Sequence, residues 1–209
     1  MRLTPIAGKF IVLDGPEGCG KSTQLQLLRQ RLEAGGASPV LVRDPGTTKI
    51  GEQIRAILLN PDHVEMGMRC EMLLYMAARA QMMVETILPA LAEGKTVLAD
   101  RFVSSTLAYQ LNGDAMTAED IRSVANIAIK GRWPDLIILL DMSPEESFRR
   151  VRREKDRIEQ RPMEYHEQVR RNYLAQAAND PRYRIVDANR PPEAVSTEIW
   201  KIINPNPEP

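Results

Sequence analysis

The chain has 209 residues, in which 28 Lys plus Arg balance 28 Asp plus Glu, and 43% of residues are hydrophobic. That composition excludes a disordered chain and a broadly basic nucleic-acid coat, and two cysteines are too few for a disulfide scaffold. No stretch approaches the ~18 apolar residues that would span a bilayer. Met1–Lys9, with Arg2 and Pro5 ahead of a four-residue apolar run, does not read as a signal peptide, so a cytoplasmic protein is expected.

In chain order, Phe10–Asp14 reads as a buried strand, followed by a glycine-rich loop and a helix over Lys21–Glu33 that stops at Gly35-Gly36. A strand over Val40–Asp44 leads to a helix over Ile50–Leu59, ended by Asn60-Pro61. Gly67–Ala92 reads as one long helix stopped by Gly94. Around it cluster six of the ten methionines, Met66, Met68, Met72, Met76, Met82 and Met83, suited to adaptable packing in a core or a subunit interface. Thr96–Asp100 is the third strand, Thr117–Ile129 a helix opened by Thr117, and Leu136–Asp141 the fourth strand. Helices follow over Pro144–Lys155 and Pro162–Ala178, then a strand over Arg184–Asp187 and a helix over Pro192–Ile203. The Pro-rich tail from 204 to 209 is expected to fray, His63 and His166 to lie on the surface, and Trp133 and Trp200 to anchor packing.

Five short apolar runs without alternation, separated by helical segments, predict an α/β protein with a five-stranded parallel sheet and helices on both faces. Each run ends on an aspartate, at the carboxyl edge where such sheets bind ligands. No repeat or linker divides the chain, so one domain over 1–209 is expected.

Gly15-Pro16-Glu17-Gly18-Cys19-Gly20-Lys21-Ser22 matches G-x-x-x-x-G-K-[ST] in its required setting between a strand and a helix. Backbone N–H groups of such a loop wrap a phosphate, the helix N-terminus adds partial positive charge, Lys21 reaches the β- and γ-phosphates, and Ser22 ligates Mg²⁺. The three-layer P-loop NTPase fold follows, with Gly15 to Thr23 as the ATP site. Cys19 reads as a small loop filler. Asp100 at a strand end offers a Mg²⁺ carboxylate beside the guanidinium of Arg101. Arg149, Arg150, Arg152, Arg153, Lys155 and Arg157 then put six cations in nine residues against Glu154 and Asp156. In a P-loop protein that run fits a short mobile lid, over about 149–161, bringing arginines onto the transferring phosphoryl group.

These motifs together resemble bacterial thymidylate kinases over Lys9–Ile203. The resemblance rests on Gly15–Thr23, Arg43-Asp44-Pro45-Gly46-Thr47, Gly51-Glu52-Gln53-Ile54-Arg55, Tyr75–Gln81, Asp100–Gln110 and Asp156-Arg157-Ile158-Glu159. It implies ATP and dTMP as substrates, Mg²⁺ at Ser22 and Asp100, and Lys21, Asp100, Arg101, Arg153 and Arg157 as catalytic residues. It implies that Arg55 and Arg101 hold the acceptor phosphate, Tyr75 stacks on thymine, and Arg79 reaches a base carbonyl. Thr106 and Gln110 read the pyrimidine edge and Tyr109 lies against the sugar. Asp44 and Ser105 complete the dTMP site, with Glu17 meeting the sugar hydroxyl or the phosphates. The resemblance further implies a homodimer and an Asp44–Pro45 cis peptide, where X–Pro bonds in general are trans.

The chain departs from the family pattern at Thr47, usually glycine, at Asp44, usually glutamate, and at Tyr75, commonly phenylalanine. The short lid lacks the glycine often found before Asp156-Arg157, which leaves open which arginine enters the site. A kinase for another nucleoside monophosphate is the alternative within enzymes. A P-loop switch would have no need of Tyr75, Arg79, Thr106 and Gln110 beside the phosphates, and a nucleic-acid module has only the basic run behind it.

Overall fold

The structure, a computed structural model, describes residues 6–111 and 113–205. Five strands, β1 (Phe10–Asp14), β2 (Val40–Arg43), β3 (Val97–Asp100), β4 (Leu136–Asp141) and β5 (Tyr183–Asp187), form one parallel sheet in the order β2-β3-β1-β4-β5. β1 is buried along its whole length because both its faces are covered. Its alternate side chains divide between two cores, as the two-residue period of a strand demands. Ile11 and Leu13 meet Leu25, Leu28 and Leu32 of α1 (Lys21–Ala34) and Val195 and Ile199 of α9 (Pro192–Ile203). Phe10 and Val12 join the larger core. That core includes Met72, Met76 and Met82 of α3 (Met68–Met82), Leu107 of α5 (Val103–Tyr109), Ile121 of α6 (Ala118–Ala128) and Val169 of α8 (Met163–Asn179). The expected five-stranded parallel sheet with helices on both faces is the observed one.

The long helix expected over Gly67–Ala92 is interrupted. α3 runs into a π-helical turn at Met83–Ile87, and a short α4 (Leu88–Ala92) completes the segment. Leu88 N–H donates to the carbonyl of Met83, five residues back, and Pro89 has no N–H to continue the regular ladder. The helix expected over Pro144–Lys155 ends early as α7 (Pro144–Arg150), with Val151 extended at φ −78°, ψ 115°. Arg149 would stack over Arg152 and Arg153 if the helix continued, and like charges three and four residues apart oppose that. α5 carries Ser104, Ser105 and Thr106, weak helix formers, and was not expected. Burial of every α5 residue except Ser105 stabilises it. α2 (Lys49–Leu59), N-capped by Thr48 Oγ1, packs on α3.

His166 corrects a surface expectation: it is buried, with its ring 4.7 Å from Phe148 in an edge-to-face contact. Asn204 is buried too and donates its N–H to Trp200 O at 2.8 Å, so the chain stays ordered one residue past α9. The remaining tail, 206–209, and the first five residues of the leader reading lie outside the described residues. Among the described residues, no helix is long and apolar enough to cross a membrane.

Candidate active site

The carboxyl edge of the sheet brings Asp14, Asp44 and Asp100 together. Leu13 pairs with Asp100, and Arg43, one residue before Asp44, pairs with Asp100 from the other side. The other two strand-end aspartates do local work. Asp141 holds Arg170 through two 2.8 Å bonds, and Asp187 caps Asn189.

Asp14 is fully buried and is the fixed point of the site. Its Oδ1 accepts from Gly15 N at 2.9 Å, Ser105 Oγ at 2.8 Å and Tyr173 OH at 2.6 Å, with Arg101 Nη1 at 3.3 Å. Its Oδ2 accepts from Ser104 Oγ at 2.5 Å. A buried carboxylate needs that density of donors to offset its lost hydration. The phosphate loop starts at this residue. A Cβ on Gly15 (φ 143°) would lie 2.4 Å from Leu140 O, and one on Gly18 (φ 72°) would lie 2.4 Å from Ser147 O. Only glycine fits where the loop presses on β4 and α7. Lys21, the first residue of α1, turns back to donate to Pro16 O at 2.7 Å and Gly15 O at 3.1 Å. The buried Cys19 thiol, its pKa pushed up by that burial, fills the underside of the loop.

Arg101 follows β3 with φ 68°, a left-handed conformation rare for arginine. It donates to Gly15 O and Ser105 Oγ, both at 3.0 Å, pairs with Glu17, and lies 5.3 Å over the Tyr109 ring. Burial disfavours the Glu17 charge, but Arg101 and Lys21 outweigh it and bring the carboxyl down to about 2. Ser22 Oγ donates to Asp100 Oδ2 at 3.0 Å, so the two oxygens face one point beside the loop.

On the other wall, Arg79 lies one helical turn after Tyr75 on α3 and is buried. Its Nε donates to Asp44 Oδ2 at 2.5 Å and its Nη2 to Thr106 Oγ1 at 3.2 Å. Asp44 Oδ1 has no hydrogen-bond partner, and burial pushes the Asp44 carboxyl up despite Arg79. The Asp44–Pro45 peptide is cis, as the family resemblance implies and against the general preference. Arg55 donates to Pro45 O at 3.1 Å. Gln110, buried, donates its amide to Glu71 at 2.7 Å.

These walls enclose a cleft of about 390 Å³. Every expected acceptor-site residue lines it, together with Lys21, Ser22, Asp100, Arg101 and Arg153. Of the loop, Gly15, Pro16 and Cys19 do not line the cleft. Arg157 is placed elsewhere: it is buried, donates to Leu58 O at 2.8 Å and to Glu71 Oε2 at 2.6 Å, and does not line the cleft. As placed, it ties the basic segment to α3 rather than reaching a phosphate. Arg153 reaches the cleft while paired with Glu159. Six Lys and Arg side chains line the cleft against four Asp and Glu, an excess suited to polyphosphate.

Sequence reasoning missed Asp14, Tyr173 and Glu71. Asp14 had a signal, being the strand-end aspartate directly before Gly15. Tyr173 had none, since it sits in no motif and arrives from α8.

A thymidylate kinase family model matches residues 13–199. The chain belongs to the thymidylate kinase family. It is 47% identical over 198 residues to a thymidylate kinase of Pelotomaculum thermopropionicum, covering 93% of this chain and 92% of that one. It is 40% identical over 200 residues to a thymidylate kinase of Deinococcus radiodurans, covering 94% and 97%. A crystal structure of thymidylate kinase from Ehrlichia chaffeensis superposes with a TM-score of 0.77 at 26% identity, covering 95% of this chain and 99% of that one. The thymidylate kinase likeness thus runs through the sheet, the phosphate loop and the acceptor wall alike, and it makes the fold that of a P-loop NTPase.

Proposed function

We propose that this enzyme transfers the γ-phosphoryl group of ATP to the 5′-phosphate of dTMP, giving ADP and dTDP. The observation that carries the reading is the buried Arg79, held by Asp44 and Thr106 one turn from Tyr75, in the same cleft as Lys21 and the phosphate loop. A base-sized slot with an aromatic face and a fixed guanidinium is what a pyrimidine monophosphate needs. A nucleotide switch needs only the loop.

Gly15–Thr23 take the ATP phosphates. Lys21 exchanges its loop carbonyls for phosphate oxygens, and Arg101 and Arg55 hold the acceptor phosphate with forked donors. Arg153, on a segment acting as a lid over about 149–161, neutralises charge on the equatorial oxygens in the transition state. Tyr75 stacks on the base, Thr106 and Gln110 meet its edge, and Tyr109 crowds a 2′-hydroxyl. Glu17 meets the sugar 3′-hydroxyl or the phosphates, and Asp44 completes the dTMP site by holding Arg79 in place. No histidine base is required, because phosphoryl transfer is governed by positioning and electrostatics.

Ser22 and Asp100 supply two hard oxygen donors side by side, and no cluster of three or more His, Cys, Asp or Glu side chains among the described residues is placed to hold a metal ion. That donor set fits Mg²⁺ held by one or two protein oxygens together with substrate phosphates and waters. When bound, Mg²⁺ neutralises charge on the donor phosphates.

The protein works as a single cytoplasmic domain and as a homodimer. Leu73 (50% exposed) on α3, Val84 (51%) just beyond it, and Ile50 (48%) and Ile57 (43%) on the neighbouring α2 supply an apolar surface for a second copy. A coupled assay with ATP and a panel of dTMP, dUMP, UMP and AMP tests the activity. The highest kcat/KM belongs to dTMP; best use of AMP would overturn the base-site assignment in favour of another monophosphate kinase.

A further inference from the structure

Glu71 is fully buried on α3, one turn before Tyr75 and two before Arg79, yet it does not itself line the cleft. Its two oxygens divide their work. Oε2 receives Arg157 Nη2 at 2.6 Å and Arg161 Nη2 at 2.7 Å, and Oε1 receives Gln110 Nε2 at 2.7 Å. A buried carboxylate is costly unless well paired, and the two guanidiniums meet that need on one oxygen alone. The second oxygen is left to a neutral amide at the edge of the substrate cleft.

We propose that Glu71 is a positioning residue that sets the hydrogen-bonding polarity of the acceptor base site by fixing the orientation of the Gln110 amide. A glutamine head presents a donor at one end and an acceptor at the other, and nothing in its shape prefers either order. A carboxylate paired with two guanidiniums offers only acceptors, so Gln110 must turn its NH₂ to Glu71. Its carbonyl oxygen is then the end left for the cleft that Gln110 lines. A fixed acceptor there favours a pyrimidine carrying an N–H at ring position 3, as thymine and uracil do. It repels cytosine, whose N3 is a lone pair. Selection against cytosine therefore originates at a residue the substrate never touches.

The inference rests on the reading of the cleft as a thymidylate site, and the test separates the two. If the wild-type protein fails to phosphorylate dTMP, the site reading fails. If it succeeds, kcat/KM for dUMP and dCMP is compared, since neither base carries a 5-methyl group. Glu71→Gln can offer an N–H to the Gln110 carbonyl and so admits the reversed amide. The expected result is a dUMP/dCMP ratio lowered about tenfold, the worth of one hydrogen bond made or lost, through KM rather than kcat. Arg161→Gln, which weakens the pairing on Oε2 without touching Gln110, lowers the melting temperature and leaves the ratio in place. A Glu71→Gln enzyme that loses activity on both substrates alike, with an unchanged ratio, would show a merely structural role and overturn the proposal. Should that variant not fold, Gln110→Leu decides: loss of the carbonyl lowers the same ratio, and an unchanged ratio overturns the proposal.

Discussion

Arg153 lays both terminal guanidinium nitrogens on the carboxylate of Glu159, at 2.8 and 2.7 Å, while also lining the substrate cleft. Glu159 is almost wholly buried and accepts the Asp156 N–H as well, so the arginine is tethered to a fixed point rather than waving in solvent. Arg157, four residues later, is bound into the protein at Leu58 and Glu71. One cation of the basic run, Arg153, lines the cleft, and Arg157 holds the segment down.

The two arginines should therefore fail differently. Arg153→Ala lowers kcat by ~10²-fold or more, the scale for losing a donor aimed at transition-state charge, and also lowers the melting temperature because the buried Glu159 loses its bidentate partner. Arg157→Ala leaves Glu71 short of a buried partner and costs stability, about 3 kcal/mol on the scale for broken buried pairs. Steady-state kinetics and thermal melts on both variants check this. A kcat loss confined to Arg157→Ala would reverse the assignment.

Lys21→Ala removes the cation that spans Gly15 O and Pro16 O. Turnover should drop by at least ~10³-fold, since little of the catalysis survives without charge on the β- and γ-phosphates. Full activity in the purified variant would refute the role of the loop.

Glu17 gives the acid limb of stability a definite sign. Its carboxyl sits near about 2 in the folded protein and near 4.5 when free, so the folded state prefers its charged form. The stabilisation is complete above about 4.5 and is lost as pH falls towards about 2. Wild-type protein should therefore lose stability more steeply across that window than Glu17→Gln. Denaturant melts at a series of pH values measure it, and parallel acid limbs would contradict the pairing with Arg101.

Thr47 stands where the family usually has glycine, and its φ is 69°. A β-branched residue in the left-handed region costs roughly 1–2 kcal/mol, part of which glycine returns through its larger unfolded-state entropy. Thr47 Oγ1 recovers some of the cost by accepting from Arg43 N at 2.7 Å. The net expectation for Thr47→Gly is a gain of about 0.5 kcal/mol, read as a melting temperature higher by a degree or two.

The parts of the site that were legible in the sequence are those whose chemistry is local. Gly15, Gly18 and Lys21 have to be adjacent in the chain because one loop wraps one phosphate, and Tyr75 and Arg79 share a helix face at a spacing of four. The parts that were not legible are joined across the fold. Tyr173 reaches Asp14 from 159 residues away and Arg157 reaches Glu71 from 86, and no spacing rule connects such pairs. The basic run shows the same limit. Six cations in nine residues advertise a phosphate, but which one points inward depends on where α7 stops, and that is set by repulsion and packing beyond Arg150. α5 was missed because its serines and threonine are poor helix formers on their own, and only burial makes them helical.

The Asp14 carboxylate, at the tip of the central strand, fixes both the first N–H of the phosphate loop and the guanidinium of Arg101. In the proposed reaction the loop takes the donor phosphates and Arg101 the acceptor phosphate, so the two halves of the site share one anchor on the central strand. Their spacing is then a property of the sheet, and substitutions in the outer helices that spare β1 should leave it in place.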